Sequence, residues 1–341
     1  MSLCKIEALS ERERERRWLR HNYNDITSLS NLLAAWPEFL AGKKGRKDVG
    51  RFSVHLTDNI LDLQEELVNK TYQHGSYQAF KINDPKPRDI HKATVRDRLV
   101  HHAIYRILYP LFEQRFSFDS YSCRLDKGTH KAINRFRDFA RRVSENNHKT
   151  VWVLKCDIRK FFASIDHEIL LDILNSYIAD ESTIWLLEQV IKSFMVTDKA
   201  GLPLGNLTSQ LLVNVYMNEF DQFVKRGLKV KYYVRYADDF VALSADKTEL
   251  ERLLPKFAEF LENKLKLRLH PGKCGIKTLA SGIDFLGWVH FPTHRVLRPS
   301  TRRRMARQLK IHHSKATRQS YSGLTSHGNC YKIRQLLGLS L

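Results

Sequence analysis

Two hydrophobic periods alternate along this chain, and the switch from one to the other marks its elements. The run Val151-Trp-Val-Leu-Lys-Cys-Asp157 is rich in apolar and β-branched residues and ends on an acid, as a buried strand does where it leaves the core. In Lys231-Tyr-Tyr-Val-Arg-Tyr-Ala-Asp-Asp-Phe-Val-Ala-Leu243 two such runs flank a pair of acids, which predicts strand, tight turn, strand. Residues 77–83 and 88–91 predict a short hairpin, with Asp84-Pro-Lys-Pro87 as a basic-tipped turn. Residues 283–291 predict a strand pair or one bent strand. Elsewhere the period is helical. Residues 1–43 are expected to be mostly helical, followed by a basic loop at 43–47. A helix over 59–70 has Ile60, Leu61, Leu63, Leu67 and Val68 as its apolar face. Further helices are expected at 96–111, near 129–143 with one basic face, at 166–178 behind an Asp166 N-cap, at 182–194, from Asn206 or Thr208 to about 225, and at 248–266. There is no internal repeat and no low-complexity linker.

A chain of 341 residues can bury a sizeable core divided among two or three subdomains. No apolar run reaches the length of a membrane span, and the N-terminus carries no secretory h-region. The five cysteines, at 4, 123, 156, 274 and 330, form no C-x-x-C pair, which argues against a disulfide framework or a zinc knuckle. A reduced, cytoplasmic protein without membrane association is the expectation. Charge adds a partner. The net charge is +20, and the 51 residues from Phe291 onward hold eleven Lys and Arg and no Asp or Glu. Such a single-sign segment implies a polyanion. Leu297, Met305, Leu309, Ile311, Tyr321, Leu324, Tyr331, Ile333, Leu336 and Leu337 recur at helical spacing within it, so a small folded basic subdomain is expected. Arg302, Arg303, Arg304, Arg307 and Lys310 would be its nucleic-acid contacts.

The strand-turn-strand would lift Asp238 and Asp239 to a hairpin tip, and Asp157 ends another apolar run. Taken singly, an Asp pair in a turn is common solvated turn chemistry and a strand-end Asp is a cap. Together, three carboxylates on neighbouring strand ends suit Mg²⁺, which takes one or two carboxylates plus substrate phosphates. Two such ions can clamp the attacking and leaving oxygens of a phosphoryl transfer.

The blocks around these acids resemble those of reverse transcriptases, in the same order. Arg88-Asp-Ile-His-Lys-Ala-Thr-Val-Arg-Asp-Arg-Leu-Val-His-His-Ala103 and Asp119-Ser-Tyr-Ser-Cys-Arg-Leu-Asp-Lys-Gly-Thr-His-Lys-Ala132 are similar to the two finger blocks. Lys155-Cys-Asp-Ile-Arg-Lys-Phe-Phe-Ala-Ser-Ile-Asp166 is similar to the metal-binding block, 201–221 to the template-side block, and Tyr236-Ala-Asp-Asp239 to the signature turn. Pro271-Gly-Lys-Cys-Gly275 and Phe285-Leu-Gly-Trp288 are similar to the last palm block and the primer grip. The resemblance runs from about residue 75 to the end, and ordered agreement over several blocks is specific. It implies an α+β fold: a right-hand polymerase with fingers, a palm of antiparallel sheet packed on helices, and a short helical thumb. The expected division is an N-terminal helical extension (1–50), fingers (51–150), palm with part of the fingers (151–290) and a basic helical thumb (291–341), with no room for an RNase H or endonuclease module.

One departure narrows the family. Most reverse transcriptases carry Gln-Gly-x-x-x-Ser-Pro in the template-side block, whereas this chain has Leu204-Gly-Asn-Leu-Thr-Ser-Gln210. That pattern resembles the enzymes of diversity-generating retroelements. The resemblance implies copying of a template-repeat RNA into cDNA from dNTPs, errors concentrated at template adenines, mutagenic retrohoming, and a small basic accessory variability protein. The host would be bacterial, archaeal or a phage. It also implies roles. Asp157, Asp238, Asp239 and the backbone carbonyl of Ile158 would hold two Mg²⁺ ions, with Mn²⁺ as a substitute. Phe162 would be the steric gate against a 2′-hydroxyl, with Phe161 as the alternative. Arg88 and Lys86 would neutralise the triphosphate. Lys273 would protonate the pyrophosphate, or is simply a solvated loop lysine. Leu204 and Gly205 would border the nucleotide, Ser209 and Gln210 would face the template, and Gly287 and Trp288 would hold the primer. Two other readings stay open: an antiphage-defence or group II intron-like reverse transcriptase, and a catalytically idle RNA-binding protein on a polymerase scaffold. Three intact acids argue against the last.

Overall fold

The structure is a computed structural model that describes residues 23–83, 87–311 and 314–339. Lys86, with most of the 84–87 turn, and the helix expected over the first 22 residues lie outside the described residues. In chain order come α1 (Tyr23–Thr27), α2 (Leu29–Leu40), α3 (Lys47–Val54), α4 (Leu56–Val68), β1 (Gln78–Ile82), β2 (Arg88–Lys92), α5 (Val95–Glu113) and α6 (Thr129–Val143). Next are β3 (Trp152–Asp157), a 3-10 turn (Phe161–Ser164), α7 (His167–Tyr177), α8 (Glu181–Lys192) and α9 (Leu207–Gln222), which runs into a π turn (Phe223–Gly227). Then follow β4 (Tyr233–Tyr236), β5 (Asp239–Ser244), α10 (Lys247–Leu265), β6 (Gly275–Thr278), β7 (Ile283–Phe285), β8 (Trp288–His290), β9 (Arg295–Leu297), α11 (Pro299–Ile311), α12 (Lys315–Thr325) and α13 (Tyr331–Leu336). The chain divides into two compact units. Among the described residues, one takes those from 23 to Phe116 with Lys160–Asn218; the other takes Ser117–Arg159 with those from Glu219 to 339.

In the first unit α5 is the central helix, packed by α1, α2 and α3. Its start is fixed by Thr94, whose hydroxyl accepts the Asp97 N–H at 3.1 Å. Asp97 is fully buried and accepts from the Tyr72 hydroxyl (2.8 Å), the Thr94 hydroxyl (2.6 Å) and the Gly75 N–H (3.2 Å). Burial alone would raise its pKa; His74 and these donors hold it below the usual carboxylate range. The helix expected at 59–70 is α4, and it buries Ile60, Leu63 and Leu67. Leu61 and Val68 are exposed instead, because each sits one residue, about 100°, beyond the buried stripe.

The second unit holds an antiparallel four-stranded sheet in the order β4-β5-β3-β6. Both faces are covered, which is why its strands read as continuous apolar runs. Val153, Val241 and Leu243 join Phe136 and Phe139 of α6 in one core cluster. Phe240 instead meets Phe220 and Phe257 at ring-centroid distances of 5.1 and 5.9 Å. The expected strand pair over 283–291 is a hairpin, β7 and β8, that continues into β9 as a separate three-stranded sheet. The basic C-terminal stretch is folded, as its spacing suggests: Met305 and Leu309 of α11 pack with Trp288, Leu297 and Cys330. Ile311, Tyr331 and Leu336, expected in that core, are exposed: Ile311 ends α11 beyond its buried Met305 and Leu309, and α13 has no fully buried residue, only Ile333 packing half-buried against the core. No helix among the described residues is long and apolar enough to cross a membrane.

Candidate active site

Strand β3 pairs with β5 so that Asp157 lies opposite Asp239, and β4 pairs with β5 so that Tyr236 lies opposite Asp239. Only Ala237 and Asp238 are left to make the turn, so all three acids belong to one corner of the sheet. Ala237 has φ of +55°, a left-handed conformation that costs a residue with a Cβ about 1–2 kcal/mol. The neighbouring backbone fixes this corner: the Ile158 N–H donates to the Asp238 carbonyl (3.1 Å) and the His270 N–H to the Asp157 carbonyl (2.7 Å).

Beneath the turn lies a buried ion pair. Arg235 and Asp221 are 1% and 0% exposed. The guanidinium donates from Nε (2.8 Å) and Nη2 (2.6 Å) to the two carboxylate oxygens of Asp221, and from Nη2 to the Ser120 hydroxyl at 3.0 Å. Its Nη1 reaches the carbonyl of Ala237 at 3.2 Å, inside the turn itself. The Tyr233 hydroxyl donates to Asp221 at 2.8 Å. This fork-to-fork pairing makes the support rigid.

The acids differ in their surroundings. Lys273 Nζ is 2.9 Å from Asp157 Oδ1, and Lys155 Nζ is 3.7 Å from Asp239 Oδ2. Lys155 also donates to the Asp284 carbonyl, and Arg298 pairs with the Asp284 carboxylate. Asp239 Oδ1 is buried without a hydrogen-bond partner. Burial pushes the Asp239 carboxyl up to about 7; Lys155 opposes this, and the charges of Asp238 and Asp157 add to it. Like charges gathered around an unpartnered oxygen are relieved by a cation. Among the described residues no three His, Cys, Asp or Glu groups converge closely enough to chelate an ion unaided. Two of these three acids are instead held by lysines. The donor set is all oxygen and incomplete, which fits Mg²⁺, an ion that keeps waters and takes further ligands from phosphates.

The nucleotide-side expectations fall in the first unit. Phe161 is 4% exposed and a core ring, while Phe162 is half-buried, edge-on to it with centroids 5.6 Å apart. The Phe162 carbonyl accepts the Leu202 N–H at 2.8 Å. The Leu204 carbonyl accepts the His91 N–H (3.0 Å), and the Asn206 amide donates to the His91 carbonyl (2.8 Å), which ties this loop to β2. Gly205 has φ of +102°, and a Cβ there would lie 2.8 Å from Ile90 Cγ2, so the tie requires glycine. Leu204 and Gln210 are half-buried and Arg88 is exposed. Ser209 is 2% exposed within α9, which is buried on most of its surface.

In the second unit Arg302, Arg303, Arg307 and Lys310 are exposed on α11 and Arg304 is half-buried. Gly287 takes the β7–β8 turn with φ of +85°. Trp288, expected beside the primer, is 1% exposed, and its ring is enclosed in the C-terminal core. Asp221, Arg235, Ser120 and Lys155 were not singled out from the sequence. Of these, Arg235 carries a signal, as a charged residue inside an otherwise apolar run, whereas Asp221 lies in the polar stretch Asn218-Glu-Phe-Asp-Gln222 and carries none.

A family model described as reverse transcriptase (RNA-dependent DNA polymerase) matches residues 81–290. Protein YkfC of Escherichia coli (strain K12) is 27% identical over 280 residues, which cover 70% of this chain and 71% of YkfC. The group II intron-encoded protein LtrA of Lactococcus lactis subsp. cremoris is 28% identical over 233 residues, 63% of this chain; these span 35% of LtrA, about a third of its length. Among solved structures, apo telomerase from Candida Tropicalis, truncated from its C-terminal domain, shares the fold, with a TM-score of 0.51 at 10% identity over 67% of this chain and 55% of that one.

Proposed function

Because the chain belongs to the reverse transcriptase (RNA-dependent DNA polymerase) family, we propose that it copies a template-repeat RNA into cDNA for a diversity-generating retroelement, with errors concentrated at template adenines. The pairing of Asp157 with Asp239 beside Asp238 on the turn carries the polymerase part of this reading. Residues 51–150 would act as fingers, 151–290 as palm and 291–341 as thumb, the last with Arg302, Arg303 and Arg304 against phosphates. The reaction is attack of a primer 3′-hydroxyl on the α-phosphate of a dNTP, forming a P–O bond and releasing pyrophosphate. Asp157, Asp238, Asp239 and the Ile158 carbonyl would hold Mg²⁺, or Mn²⁺ in its place. Such ions, when bound, lower the pKa of the attacking hydroxyl and neutralise charge on the leaving group. Lys273 would give its proton to the departing pyrophosphate, and Arg88 would neutralise the triphosphate.

Phe162 would fill the space of a ribose 2′-hydroxyl. Replacing it by Ala removes that steric clash, and ribonucleotide incorporation in primer extension should rise by about tenfold to a hundredfold. No rise would leave Phe162 as packing only.

The sequence Leu204-Gly-Asn-Leu-Thr-Ser-Gln210 carries the subtype. A Gln at 204 could hydrogen-bond and position the incoming nucleotide; Leu supplies shape without a donor. Losing one such contact removes about 1–3 kcal/mol of discrimination between right and wrong pairs. Sequencing of cDNA made in vitro should show misincorporation concentrated opposite adenines, lowered about fivefold or more in Leu204→Gln. Equal error at all four template bases would remove the diversity-generating reading and leave the polymerase. The similarity to LtrA favours one second reading, a group II intron-like reverse transcriptase, and the same error spectrum separates the two.

A further inference from the structure

The second unit has a cleft of about 240 Å³ that shares no residue with the three acids or their supports. Arg137 and Arg141 of α6 form one wall; Phe291, Thr293 and His294 of the β8–β9 loop, Arg295, and the loop carrying His327 form the rest. No carboxylate lines it. Asp138, the single acid of α6, is not among the lining residues. The arginines have no ion-pair partner among the described residues. Arg295 is fixed by hydrogen bonds to the His327 carbonyl and to Asn134 Oδ1, the latter at 3.1 Å. Its pKa is held down by burial first and by the charge of Arg137 second. The His327 imidazole stacks on His130 with centroids 3.6 Å apart. Gathering like charges this way is unfavourable for the isolated chain, and an anion would reverse the sign.

The ligand class follows from two features together. Three guanidiniums provide planar forks that fit phosphate oxygens. On the same cleft the Phe291 and His294 rings are stacked, with centroids 4.9 Å apart at 15°, and His294 is exposed, so a base can extend the stack as a third ring. An acidic peptide would use the arginines and leave the stack idle. We propose that this cleft binds a phosphodiester segment of single-stranded RNA, with phosphates on Arg137, Arg141 and Arg295 and an unpaired base against the Phe291–His294 pair. The proposal rests on the reading of the chain as an RNA-templated enzyme, and it adds a second hold on the RNA outside the polymerising corner.

The test uses the full chain and a labelled single-stranded RNA 20-mer, followed by fluorescence anisotropy across a salt series. Arg137→Gln combined with Arg141→Gln should weaken binding about tenfold and lower the log–log salt slope by about 1.4, that is 0.7 for each lost phosphate contact on a single strand. His294→Ala should weaken RNA binding while leaving inorganic polyphosphate binding unchanged. Primer extension on a short, pre-annealed template at saturating enzyme should stay at wild-type rate in both variants. An unchanged salt slope in the double variant would overturn the proposal. So would poly-glutamate binding the wild type as tightly as RNA and losing it in the same double variant, which would make the cleft a site for an acidic protein. A chain that fails primer extension yet loses RNA through these two arginines would sink the polymerase reading and leave the cleft standing.

Discussion

Asp238→Ala should lower primer extension at least about a thousandfold, the loss expected when several kcal/mol of transition-state charge stabilisation is removed. RNA binding should stay near wild type, because the arginines proposed to hold phosphates are other residues. The melting midpoint should not fall either. Asp238 adds repulsive charge to a corner where Asp239 is already raised by its neighbours, so removing it relieves part of that cost. Single-turnover extension on an annealed template measures the first effect, and a thermal scan the second. Residual extension within tenfold of wild type would show that the turn does not take part in the chemistry.

Asp221→Ala should have the largest effect on stability, a loss of about 3–5 kcal/mol, because it leaves the guanidinium of Arg235 buried without its counter-charge. The Tyr233 hydroxyl loses its acceptor at the same time. A urea titration of purified protein gives the number; a loss under about 1 kcal/mol would mean that water or a neighbouring group replaces the carboxylate. Asp221→Leu with Arg235→Met should recover much of that stability, since replacing both members of a buried pair by apolar groups is often neutral or better. The double variant also lacks the hydrogen bond from Arg235 to the Ala237 carbonyl. It should therefore fold well and extend primers slowly, which separates support of the turn from support of the fold.

The hairpin and its acids are legible in the sequence because two short apolar, β-branched and aromatic runs flank a pair of acids, and that pattern has few alternatives. Asp166 was readable as a cap for the same kind of reason: its carboxylate accepts the Ile169 N–H at 3.0 Å, a purely local bond. Strand β6 was missed. Gly275-Ile-Lys-Thr278 is four residues long, with one strong β-former, and becomes a strand through its pairing with β3. The burial of the Trp288 ring is not legible in the sequence, because a motif gives a position in the chain and not the direction of a ring; that direction is set by the apolar residues of α11. Arg235 stands out as a charge in an apolar run, but its pairing with Asp221, fourteen residues away, has no local signature.

Strand β3 is hydrogen-bonded on both flanks, to β5 along its whole length and to β6 over Trp152–Lys155. Asp157 thus sits at the end of the element whose amides should exchange with solvent deuterium most slowly in the sheet. Asp238, in contrast, sits on a turn that can open without breaking β3. Heat should disarm the corner from the turn inward, at temperatures where most of the sheet still reads as folded.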